Sequence, residues 1–149
     1  MPDILQQTYI KVPRQKVYDL LISSEGWNAW FTDDTFLHLE ADGRGEIRLS
    51  WKSSDNELPF IEDGGEILEA VDGERFVFQW SPSRMPSTVE INLADYKDGT
   101  LIMLKETGFG STEEDISACV GCAVGWGEAL TLLKVYLENG IIMKEDLIL

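Results

Sequence analysis

The sequence predicts an α+β fold: an antiparallel sheet of six to seven strands, two short helices after strand 1, and a long C-terminal helix packed across the sheet. Three observations predict it. Between about Thr35 and Thr107, apolar residues recur at every second position in runs separated by Asp-Gly dipeptides, the pattern of strands joined by tight turns. From Ser111 to Gly140 the apolar period lengthens to that of a helix. The chain has 149 residues, 44% of them hydrophobic, with no repeat, low-complexity tract or linker, which suits one domain with a sizeable core over residues 1–149.

The elements follow in order. Ile4 to Val12 alternates loosely and reads as a strand that Pro13 stops. Lys16 to Ile22 carries Val17, Leu20 and Leu21 at helical spacing, and Ser24 has the chemistry to cap a second short helix holding Trp27, Trp30 and Phe31. Glu46 to Lys52 sets Ile47, Leu49 and Trp51 on one face against Arg48, Ser50 and Lys52 on the other. Phe76, Phe78 and Trp80 share a face, as do Val89, Ile91 and Leu93, while Leu101 to Leu104 is apolar on both sides. Turns are expected at Asp42-Gly43, Asp63-Gly64-Gly65, Asp72-Gly73 and Asp98-Gly99. Ser53 to Asp63 is the one long connection, polar except for Leu58, Phe60 and Ile61, and is expected to be a loop able to lie over an opening.

The last helix has the strongest signal. Ser111 and Glu114 have capping-box spacing, with Thr112 and Asp115 as the alternative register. Ile116, Cys119, Val120, Ala123, Trp126, Leu130, Leu133 and Leu137 give its apolar face, and Asn139-Gly140 gives its end. About 25 residues span about 37 Å, enough to cross a sheet. Gly121, Gly125 and Gly127 lie inside it, each destabilising by about 1 kcal/mol relative to Ala. They serve either close approach of a neighbouring backbone, the ordinary use of glycine, or room for a ligand beneath the helix.

Composition excludes some function classes. The net charge is −15, from 12 Lys+Arg and 27 Asp+Glu. Both halves are acidic, with seven basic and sixteen acidic residues up to Arg75 and five and eleven after it. Nucleic acids and anionic membranes need Lys/Arg clusters, so neither is an expected partner. The first residues lack the basic and apolar regions of a signal peptide, and no run approaches the about 18 apolar residues of a membrane span. Two cysteines make no disulfide framework, and a cytoplasmic location is expected.

A resemblance adds to this. Ile10-Lys11-Val12-Pro13, Val17-Tyr18-Asp19-Leu20-Leu21 and Ser24-Glu25-Gly26 running into Trp30-Phe31 begin it. Arg75-Phe76-Val77-Phe78-Gln79-Trp80, Ser87-Thr88-Val89, Asp98-Gly99-Thr100 and Gly108-Phe109 continue it, and Gly125-Trp126 with Leu130, Leu133, Tyr136 and Leu137 completes it. In order and spacing these residues resemble the helix-grip fold of START and birch-pollen-allergen-like proteins, the SRPBCC superfamily, and within it the activator-of-heat-shock-ATPase-homologue-like branch. The resemblance covers about residues 4–140. It leaves Ile141 to Leu149 as an apolar tail that packs on the body, swaps with a neighbour or covers the cavity entrance. It implies an apolar cavity between sheet and C-terminal helix. Members bind lipids, hormones or polyketides there, act as cyclases or hydrolases, or assist a chaperone ATPase through the outer surface of the sheet.

Five Trp, six Phe and four Tyr suit such a cavity as well as a core. Trp30, Trp51, Phe78, Trp80, Met103, Phe109, Trp126 and Leu130 are the expected ligand-binding residues. The expected ligand is a small hydrophobic molecule of lipid, polyketide or flavonoid type, the protein a monomer or weak homodimer, with no cofactor and no metal. Two other readings stand beside it, a chaperone or other protein partner and a polyketide cyclase or hydrolase. The last needs an acid or base in an apolar pocket, for which Glu66, Glu90, Lys105 and Glu106 are strand candidates. Cys119 and Cys122 form a C-x-x-C without the strand context of a redox motif and read as small buried residues. His38, the one histidine, has no neighbouring nucleophile pattern and reads as structural. The pairs Asp33-Asp34, Glu62-Asp63 and Glu113-Glu114-Asp115 read as solvated. No glycine-rich phosphate loop follows a strand, so nucleotide binding has no support.

Overall fold

In the computed structural model, which describes residues 2–52 and 61–144, seven strands form one antiparallel sheet with three helices. The order is β1 (Ile4–Ile10), α1 (Arg14–Leu21), α2 (Ser24–Trp30), β2 (Asp34–Leu39), β3 (Gly45–Trp51), β4 (Ile61–Val71), β5 (Arg75–Trp80), β6 (Ser87–Tyr96), β7 (Gly99–Thr107) and α3 (Glu113–Asn139). In space the strands run β1-β7-β6-β5-β4-β3-β2. The helices α1 and α2 carry the chain from one sheet edge to the other, and the meander from β2 brings β7 back beside β1. This is the α+β architecture that the sequence predicts.

Alternation decides which face is inside. Ile47, Leu49 and Trp51, Phe76, Phe78 and Trp80, and Val89, Ile91 and Leu93 are all buried. On β7 the inward set is Ile102, Leu104 and Glu106, which leaves Leu101, Met103 and Lys105 on the outer face. Against the inner face lie α1 and α2, through Val17, Leu21, Trp27 and Trp30, and the C-terminal half of α3, through Trp126, Ala129, Leu130 and Leu133.

Several local expectations are corrected. Asp63-Gly64-Gly65 is not a turn: it lies within β4, where Asp63, Gly64 and Gly65 pair with Leu49, Arg48 and Ile47. Glycine is needed there for close approach, since a Cβ on Gly64 would meet the Ile47 carbonyl at 2.1 Å and one on Gly65 the Gln79 carbonyl at 2.4 Å. The expected loop from Ser53 therefore ends before Ile61, and its residues 53–60 lie outside the described residues. Leu68 is the extra residue of a bulge between the pairs Ile67–Phe78 and Glu69–Val77. The β6–β7 turn is Lys97-Asp98, one residue earlier than expected, with Lys97 at φ 51° and Gly99 already in β7. Ser23 rather than Ser24 caps α2, its hydroxyl accepting from the Gly26 amide at 2.9 Å.

The capping box of α3 uses Thr112 and Asp115, and Gly140 ends the helix at φ 70°. The second register wins because Asp115 is also held from outside the helix. Arg84 donates to its two carboxylate oxygens at 3.2 and 2.7 Å, and Ser83 donates at 2.8 Å. The expected apolar face of α3 is corrected too: Ile116 and Val120 are exposed, as is Val124. The helix is apolar around much of its circumference, so periodicity alone gave no unique inner face. Its most apolar 18-residue window has mean hydropathy 1.5. By length and composition alone it could cross a membrane, contrary to the expectation that no run comes near this. Of the tail, residues 141–144 are described: Ile141, Ile142 and Met143 are exposed, and Lys144 reaches back to the Asn28 and Thr32 carbonyls of the α2 region. Residues 145–149 of the tail lie outside the described residues.

Arg84, followed by the Thr112 and Ser83 hydroxyls, holds the Asp115 carboxyl well below the usual carboxylate range. A folded-state pKa below that of the unfolded chain means stabilisation that is complete above about pH 4 and is lost as the pH falls further. Acid unfolding of the Arg84→Ala variant, followed by circular dichroism, should show less loss of stability between pH 4 and 2 than wild type.

Candidate functional site

Beneath the N-terminal half of α3 lies a cavity of about 350 Å³. Three indoles and a phenyl ring make its walls: Trp51 at the end of β3, Trp80 at the end of β5, Trp126 of α3, and Phe31 just after α2. The rings contact one another, with centroids 5.4 Å apart for Trp80–Trp126, 5.2 Å for Phe31–Trp51 and 6.2 Å for Phe31–Trp126. The roof is α3 itself, through Ala118, Gly121, Cys122 and Gly125, while Pro82 and Asp63 stand on other sides.

The surroundings of the helix glycines decide between the two uses left open for them. A Cβ on Gly121 or Gly125 would meet nothing within 4 Å, whereas one on Gly127 would meet the Gln6 side chain at 3.5 Å. Gly127 thus sits in ordinary contact with the Gln6 side chain of β1, whereas Gly121 and Gly125 are exposed and border open space at the cavity, so none of the three serves close approach of a neighbouring backbone.

All three wall indoles have their N–H groups fixed. Trp51 Nε1 donates to the Phe31 carbonyl at 3.1 Å. Trp80 Nε1 donates to Glu106 Oε2 at 2.6 Å, and Trp126 Nε1 donates to Glu106 Oε1 at 2.8 Å. The Ser87 hydroxyl also donates to Oε2. Glu106 is fully buried, and these three neutral donors are its hydrogen-bond partners among the described residues. Burying a carboxylate is tolerable only when its oxygens are so satisfied. Of the strand candidates for acid–base work, Glu106 alone points inward; Glu66 and Lys105 are exposed, and Glu90 is half-buried 3.7 Å from Arg75.

Asp63 is the charged residue of the lining. Its Oδ1 accepts from the Gly64 amide at 2.7 Å and the Ser81 amide at 2.8 Å. Burial pushes its pKa up, against the pull of those amides and of Arg48. The expectation that the acidic pairs are solvated is therefore corrected at Asp63 and Asp115, while Asp33, Asp34, Glu62, Glu113 and Glu114 are exposed.

Of the eight expected site residues, Trp51, Trp80 and Trp126 line the cavity. Trp30, Phe78, Phe109 and Leu130 are buried in the core and do not line it. Trp30 stacks on Phe31 at 5.1 Å, and Phe78 packs edge-on against Trp27 and Trp80. Met103 lies on the opposite face of the sheet, in a second pocket of about 500 Å³ with Leu5 and Lys105. Because Leu101 to Leu104 is apolar on both faces, alternation did not reveal which side Met103 takes. Phe31, Asp63, Pro82, Ala118 and Cys122 were missed as lining residues. Cys119 and Cys122 are both free thiols, and burial followed by the Glu106 charge pushes both pKa values up, that of Cys122 to about 12. A redox thiol needs the opposite shift. His38 is exposed, 2.9 Å from Glu40. Among the described residues, no group of three His, Cys, Asp or Glu side chains could hold a metal ion.

An open antiparallel sheet, a long C-terminal helix across it and an apolar cavity between them define a START-like helix-grip domain. The chain belongs to the Activator of Hsp90 ATPase homolog 1-like protein family, whose sequence profile matches residues 11–138. Its fold is similar to that of protein SSP2350 from Staphylococcus saprophyticus, with TM-score 0.74, 22% identity and 96% of each chain covered. It is also similar to the Aha1 dimer from Colwellia psychrerythraea, with TM-score 0.73 and 17% identity over 94% of this chain and 98% of that one. A third similar structure is DynU16, a protein of the dynemicin biosynthetic locus, with TM-score 0.73 and 17% identity over 93% of this chain and 48% of that one. At these identities the likeness is one of fold. No curated protein matches the sequence significantly.

Glu106→Ala would leave two indole N–H groups and a hydroxyl buried without acceptors, at about 1–3 kcal/mol each. Urea unfolding should show a loss of at least about 3 kcal/mol, accompanied by altered tryptophan emission. A loss below about 1 kcal/mol would mean that the network does not hold the wall.

Proposed function

We propose that this protein binds a small hydrophobic molecule in the cavity under α3. The observation that carries this reading is the pairing of a fixed aromatic wall with a roof from which two side chains are missing. Fixed walls bind without ordering themselves first, and pockets lined by aromatic and apolar groups are the usual form of small-molecule sites. Glycine at positions 121 and 125 weakens the helix by about 1 kcal/mol each, and it leaves open space beside the aromatic wall.

A cyclase or hydrolase reading is favoured by one feature, the Asp63 carboxyl in the lining with its raised pKa. It has no second positioned acid or base in the described lining to work with, so binding stands first. A reading as a partner of a chaperone ATPase draws on the family name and on the net charge of −15, which suits a basic partner surface.

Native mass spectrometry of protein purified without detergent should show a co-purifying small molecule. A panel of lipids and flavonoids should contain compounds that raise the melting temperature, by an amount equivalent to about 2.7 kcal/mol at a hundredfold excess over Kd. No bound mass and no shift across the panel would remove this reading. Gly125→Ala should stabilise the free protein by up to about 1 kcal/mol, and Gly125→Leu should abolish ligand-induced shifts while leaving the free protein folded.

A further inference from the structure

We infer that the cavity selects by charge through Asp63, taking a hydrophobic amine or quaternary ammonium compound and turning away carboxylate-bearing molecules such as fatty acids. This rests on the reading of the cavity as a ligand site and adds the chemical class of the ligand.

Asp63 pairs across the sheet with Leu49, and cross-strand partners share a face. Leu49 is fully buried, so the carboxylate is directed to the inner face, where it joins the lining. The Gly64 and Ser81 amides hold Oδ1, which fixes the group in place. A second carboxylate, Glu106, stands directly behind Trp80 and Trp126, held by neutral donors. Among the described residues, the cation that lowers the Asp63 pKa is Arg48, on the outer face of β3 and engaged with Glu46 at 3.2 Å, and it is the smallest of the influences on Asp63.

The roof already registers this field. After burial, the carboxylates that push the Cys122 thiol up are Glu106 and Asp63. A ligand carboxylate beside Cys122 would meet the same repulsion and lose its hydration with no charged donor among the described lining residues to replace it. An ammonium would gain from both carboxylates in a partly desolvated site. It would also gain from the faces of Trp51, Trp80, Trp126 and Phe31, since indole is the best cation–π partner among the side chains. Aromatic walls with an adjacent carboxylate are the arrangement that recognises alkylated ammonium groups.

The test is a shape-matched series of naphthylmethylamine, naphthylmethanol and naphthoate, titrated calorimetrically at neutral pH into the full chain and into Asp63→Asn. The variant retains an oxygen for the Gly64 and Ser81 amides, and the wild-type ranking needs no variant. The amine should bind about tenfold more tightly than the alcohol, with naphthoate weakest. In Asp63→Asn the amine and alcohol should come within about twofold of each other. Naphthoate binding as tightly as the amine, or an amine preference undiminished in Asp63→Asn, would overturn the inference while alcohol binding keeps the ligand site. Failure of all three to bind would overturn the ligand site and this inference together.

Discussion

The fold turns on one buried carboxylate. Glu106 sits on β7 between β1 and β6, where alternation would ordinarily supply an aliphatic residue. Alone it would be among the most destabilising groups a core can hold. It is not alone, because Trp80 arrives from β5, Trp126 from α3 and Ser87 from the start of β6, each bringing a proton to it. The dependence runs both ways, since each indole N–H would be an orphaned donor without Glu106. Apolar contact between α3 and the sheet is non-directional and would tolerate sliding or rotation of the helix. Two charge-assisted hydrogen bonds from different elements to one carboxylate are directional, so they set the rotation of α3 and the angle of two cavity walls together.

Much of the architecture is legible in the sequence because one sheet face is dry and the other wet. Ile47-Leu49-Trp51 and Phe76-Phe78-Trp80 announce their strands through that contrast, and capping-box and C-cap signals bracket α3. What misled was chemistry that serves two purposes. Asp63-Gly64-Gly65 has the composition of a turn, but its glycines answer to the Ile47 and Gln79 carbonyls across neighbouring strands, a tertiary demand that no local window contains. The two cap registers of α3 satisfy the same local rule, and the choice between them comes from Arg84, about thirty positions upstream.

The site was less legible than the fold. Trp51, Trp80 and Trp126 were readable because bulky aromatics on inward faces are the natural lining of any space there. Trp30, Phe78, Phe109 and Leu130 share that signature within the core, and nothing in their spacing separates wall from filling. Phe31 and Pro82 lie outside the regular elements, where period says nothing. A cavity is also defined by what is missing, and sequence records absence only through glycine. Gly121 and Gly125 are that record, and glycine has a more common purpose that reads the same way.

The same glycines divide α3 energetically. From Glu113 to Gly125 the buried residues are Asp115 and Cys119, whereas from Trp126 onward they are Trp126, Ala129, Leu130, Leu132 and Leu133. The first half is thus held mainly at its cap, while the second is anchored along its length. Protection against hydrogen exchange follows such local contact density, so amides between the cap and Trp126 are expected to be less protected than those from Trp126 onward. The stretch of the helix that covers the cavity is thus held at its two ends, by the cap at Asp115 and by Trp126, with Cys119 as the buried contact between them.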